Sequence, residues 1–151
     1  MFGALTELLH EIMSDERPAA SVQAPSLRLA AAVLLVEVMR ANDGISAEER
    51  ITAARFLADQ FNLSDAEVAP LLQQAERESI AAYDCFRFTN PLDEALSQNC
   101  KIALVEAMWK VAYADHRLDP QENAVISKVA DLLHVSHGVY IAAKMRAKPN
   151  G

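Results

Sequence analysis

The segment LLVEVMRANDGISAEE, residues 34–49, aligns without a gap on AMWKVAYADHRLDPQE, residues 107–122. Ala41 meets Ala114, Asn42 meets Asp115, Ile45 meets Leu118, Ser46 meets Asp119 and Glu49 meets Glu122. After one residue of slippage, LADQFNLS (57–64) matches VADLLHVS (129–136). Each unit reads as an apolar helix, an acidic elbow, an amphipathic helix and the Ser-capped start of a third. Two such units cannot bury their apolar faces separately. The repeat therefore predicts one compact all-α bundle of about seven to eight helices with an internal pseudo-two-fold repeat.

Composition agrees. The chain is 52% hydrophobic and 23% charged, poor in Gly and aromatics, and rich in the residues that enter helices at little entropic cost. No stretch alternates convincingly with period two. A net charge of −7 leaves no dense basic surface for nucleic acid. The longest apolar run, LAAAVLLV (29–36), is far too short to span a bilayer. Cys85 and Cys100 lack Cys or His neighbours at ligand spacing, so they read as reduced thiols of a cytoplasmic protein.

Residues 1–25 form an N-terminal amphipathic helix and a linker. Phe2, Leu5, Leu8, Leu9 and Ile12 share one face of a helix over 2–13, which either packs on the domain or meets a partner or membrane surface. DERPAASVQAP (15–25) has two prolines and no periodicity. The domain then covers 26–148, with repeat halves at about 27–83 and 98–146. Ser26 caps a buried helix running to about Ala41. Ser46 and Glu49 have capping-box spacing for a helix to about Phe61, and Ser64 with Glu67 repeats the device for 65–83. FRFTNP (86–91) reads as a loop or short turn before Leu92–Leu96. A long helix covers 98–114. Asp119 as cap, Pro120 at the first position and Glu122 at the third start another that ends near Leu133. Ser136 opens the last, 137–146.

The second elbow, YADHRLDPQE, has two readings. Asp115 at the end of one helix, with Asp119 and Glu122 at the start of the next, could converge on a cation; oxygen-only donors suit Ca²⁺ or Mg²⁺. Capping and the helix dipole explain Asp119 and Glu122 without a metal. Asp115, at a helix C-terminus, is what capping explains least. The first elbow is the weaker counterpart, with Asn42, Ser46 and Glu49 in register. His116 is either a fourth ligand or solvated, and His134 with His137 either a metal pair or ordinary surface residues. Glu37 and Glu106 lie within apolar helices, at an edge, paired with a basic neighbour, or as buried catalytic acids. Trp109 and Tyr113 share a face that packs in the core. Arg87 between Phe86 and Phe88 is an internal pairing residue or an exposed recognition element.

The doubled elbow, Ala-Asp-x-x-Leu-Asp-x-x-Glu in its second copy, resembles the tellurite-resistance TerB-like family. RLAAAVLLVEVMRA, FRFT, LVEAMWKVAYAD and VADLLHVSHGVYIAAK resemble one bacterial branch of it, over about residues 27–146. The resemblance implies a non-enzymatic, all-helical cytoplasmic domain linked to tellurite resistance and chemical stress. It also implies a protein partner, membrane-associated in some members, and elbow acids that bind metal. Carried onto this sequence, those acids are Asp115, Asp119 and Glu122, with Asn42, Ser46 and Glu49 in the first half; Asn42 departs from the family's Asp. The alternative function is a metal-dependent hydrolase using the same acids.

Overall fold

The structure, a computed structural model, describes residues 26–41, 45–81, 86–114, 118 and 120–149. They form seven α-helices: α1 Leu27–Arg40, α2 Ala47–Phe61, α3 Asp65–Ala81, α4 Phe86–Ala95, α5 Gln98–Tyr113, α6 Pro120–Leu132 and α7 His137–Ala147. There is no strand among the described residues. The all-α bundle that the repeat predicts is what forms. None of these helices is long and apolar enough to cross a membrane.

Two helices make the centre. In α1, Leu29 to Val36 is buried on every side, as expected for a helix apolar all round. Its counterpart α5 buries Leu104, Val105, Ala107, Met108 and Trp109. Ser26 and Ser97 start them, each hydroxyl accepting a first-turn amide at 3.2 Å, from Leu29 and Cys100 respectively. The two helices pack on each other, α3 lies along α1, and α7 lies along α5. The second helix of each half crosses over: α2 packs on α5 as well as α1, and α6 on α1 as well as α5. This scheme maps onto itself when the halves are exchanged.

The helix stops are repeated too. Among the described non-glycine residues, only Asn62 (φ 55°) and His134 (φ 61°) have left-handed backbones. They occupy equivalent places after α2 and α6. The amides that follow, of Leu63 and Val135, reach back to the carbonyls of Ala58 and Ala130 at 3.0 and 2.9 Å. Both are Schellman closures, which satisfy carbonyls left open at a helix end.

Residues 86–91 correct the sequence reading. They open α4 rather than forming a loop, although Pro91 lies inside the helix and cannot donate to the carbonyl one turn back. Burial decides the matter: Phe88, Thr89 and Leu92 are completely covered, against α1 and α6. Elsewhere α5 carries an aromatic cluster. Trp109 is fully buried, 6.1 Å from the Tyr113 ring and 5.4 Å from that of Tyr140 on α7, with Lys144 Nζ 5.1 Å from its centroid. The core reading of Trp109 and Tyr113 holds.

A polar tie fixes α4. Asp93 Oδ1 accepts from Lys101 Nζ at 2.7 Å and lies 3.1 Å from His134 Nδ1. The Lys101 ammonium, then the His134 ring, hold the Asp93 carboxyl below its usual range.

Replacing Phe88 with Ala should cost about 3–5 kcal/mol in urea unfolding, whereas an exposed loop position would cost almost nothing. Asp93 supplies a pH signature. Its folded-state pKa is depressed, so its contribution is complete above the ordinary carboxylate range and is lost as pH falls through the folded value. The stability gap between the native chain and Asp93→Asn should therefore narrow as pH falls below about 4.

Candidate functional site

Three glutamates occupy the third position of a helix that follows a cap, which allows a comparison within one molecule. At the first elbow the capping box is complete. The Glu49 amide donates to Ser46 Oγ at 3.1 Å, and the Ser46 amide donates to Glu49 Oε1 at 3.0 Å. Before α3 the box is half made, contrary to expectation. The Ser64 amide donates to Glu67 Oε1 at 2.9 Å, but the Glu67 amide goes to the Ser64 carbonyl. The Ser64 amide, then its hydroxyl, lower the Glu67 pKa. At the second elbow Pro120 is the first residue of α6 and Glu122 the third, as the sequence predicts.

Burial separates the three. Glu67 is exposed, whereas Glu49 and Glu122 are both 0% exposed. The carboxylate half of the device does not require a covered side chain, as the bond from the Ser64 amide to the exposed Glu67 shows. Glu49 Oε2 is buried and accepts no hydrogen bond. Covering a carboxylate is costly unless charge or hydrogen bonds compensate it. Glu49 therefore carries a feature that helix initiation leaves unexplained, and its equivalent Glu122 shares its burial. Sequence reasoning treated Glu49 as the weaker position and missed its burial. The signal was present: Glu49, Ala53, Leu57 and Phe61 form one stripe at helical spacing, and all four are buried.

The rest of the expected cation group, Asp115, Asp119, His116 and Asn42, lies outside the described residues, as do His10 and Cys85. Among the described residues, no group of three or more His, Cys, Asp or Glu is placed to hold a metal. His134 turns to Asp93, while His137 faces Tyr140 with ring centroids 5.9 Å apart. Glu37 accepts from the Ser79 hydroxyl, joining α1 to α3. Glu106 accepts from Arg146 Nε at 2.7 Å and pairs with Lys110 at 3.5 Å. Glu106 thus has the basic neighbours that the sequence reading offered. Cys100 is a free, buried thiol.

The burial contrast gives a prediction for metal-free protein. Glu49→Gln keeps a carbonyl oxygen for the Ser46 amide and removes a buried charge at nearly constant volume. In chelator it should raise stability by about 1 kcal/mol, while Glu67→Gln stays within about 0.5 kcal/mol of the native chain. Urea titration of the two variants checks this.

Comparison with known proteins follows the same boundaries. A sequence model of the family described as Tellurite resistance protein TerB matches residues 28–145, from the first turn of α1 to the last of α7. No curated protein and no solved structure matches the chain significantly. With most of its length matched and the doubled helical architecture in place, the chain belongs to the TerB family.

Proposed function

We propose that this protein is a non-enzymatic cytoplasmic TerB-family domain that binds a protein partner in the response to chemical stress, with a divalent cation held at its second elbow. The observation that carries the cation reading is the burial of Glu49 and Glu122 beside an exposed capping equivalent, Glu67. At the second elbow, Asp115 and Asp119 precede Glu122 within eight residues, so that site has the fuller set of oxygen donors. Glu122, Asp119 and Asp115 would hold the ion. Carboxylate oxygens favour Ca²⁺ or Mg²⁺ over thiophilic metals. A bound ion there would fix the angle between α5 and α6 by joining the end of one to the start of the other.

Partner binding draws on the surface. Ile141 and Met145 stand one turn apart on α7 and are 38% and 59% exposed, an apolar pair beside the buried Tyr140. The acidic net charge argues for a protein partner rather than nucleic acid.

Calorimetric titration of chelator-treated protein tests the cation. Ca²⁺ or Mg²⁺ should bind more tightly than millimolar, and Glu122→Gln or Asp115→Asn should weaken binding by about tenfold or more. Heat changes no different from buffer, or an affinity indifferent to both substitutions, would remove the cation and leave capping as the whole role of the elbow.

A further inference from the structure

Among the described residues, the exchange symmetry of the fold leaves one position unfilled. α4 immediately precedes α5, the central helix of the second half. It lies across α1, the central helix of the other half, and touches α6, the second helix of its own. Exchanging the halves turns that description into a helix that precedes α1 and lies across α5 and α2. A cleft of about 460 Å³ is found there, lined by Thr52, Arg55, Phe56, Asp59 and Gln60 of α2 and by Ala107 and Lys110 of α5. Gln60 Oε1 is buried and accepts no hydrogen bond. The chain that precedes α1 contains the amphipathic stretch 2–13.

We infer that residues 2–13 dock as a helix in the α2–α5 cleft, in the place that α4 takes between α1 and α6. The spacing of apolar residues fits. α4 and its end bury Phe88, Thr89, Leu92 and Leu96. Ala4, Leu5, Leu8 and Ile12 repeat those intervals, and Leu9 widens the face. Charge fits as well. The cleft presents two cations, Arg55 and Lys110 (the latter also paired with Glu106), to one acid, Asp59, and the segment offers Glu7 and Glu11. Reach is sufficient. The linker 14–25 spans up to roughly 40 Å when extended, against a radius of gyration of roughly 14 Å for a domain of this size. Whereas α4 joins α5 through a short connection, this longer linker lets its counterpart arrive from farther along the chain.

The experiment is methyl NMR on the full chain, with a companion in which Leu8 and Ile12 are both changed to Glu. The docked helix gives nuclear Overhauser effects from the Leu5, Leu8 and Ile12 methyls to the Ala107 methyl or the Phe56 ring, within one chain and at low concentration. In the companion these effects vanish and amides of residues 52–60 exchange about tenfold faster. Arg55→Glu with Lys110→Glu weakens docking, and adding Glu7→Lys with Glu11→Lys restores it. Three outcomes overturn the inference: contacts from the segment to a different face; contacts seen only between differently labelled chains, which would make a second copy the occupant; or no contacts, with exchange unchanged in the companion.

Discussion

The packing of α1 on α5 is the constraint from which the rest of the structure follows. Both are covered along most of their length, and each takes part of that cover from the other half. The second helices supply it by crossing over, α2 onto α5 and α6 onto α1. Apolar burial supplies the driving force. In each half the second helix follows the central one across an elbow and reaches the opposite half. The doubled sequence signal lies at this junction.

The same constraint brings acids into the interior. To reach across, α2 and α6 enter the core from their first turns, and the glutamate at the third position of each travels with them. Glu49 heads the stripe that continues through Ala53, Leu57 and Phe61. α3, which lies on the outside of α1, starts with a similar Ser and Glu, yet its Glu67 stays in water. Burial of an acid is therefore tied to crossing over rather than to capping. A cation that compensates such a carboxylate would act where the turn is made, and so on the relation of the two halves.

Much of this was legible in the sequence. The gapless match of 34–49 to 107–122 announced the repeat, and Ser26, Ser46 and Ser136 marked helix starts that the structure keeps. Asn62 and His134 illustrate what was not. Their left-handed backbones close equivalent helices, but one is an Asn and the other a His, so residue type concealed a shared turn. Residues 86–91 misled for a different reason: Asn90 and Pro91 are local turn signals, and they lost to long-range burial of Phe88 and Leu92. Helix-interior Pro is costly, and only tertiary packing outweighs it. The burial of Glu49 was masked by the plainer message of its capping box. At the second elbow, Glu122 sits where the sequence put it.

If each half depends on the other for cover, the halves must unfold together. Equilibrium urea unfolding can be followed at once by the fluorescence of Trp109, the single tryptophan, which lies in the second half, and by a fluorine label on Phe61 in the first. The account predicts superimposable transitions with one midpoint and one slope. Two separated transitions, with Trp109 and Phe61 reporting different midpoints, would contradict it.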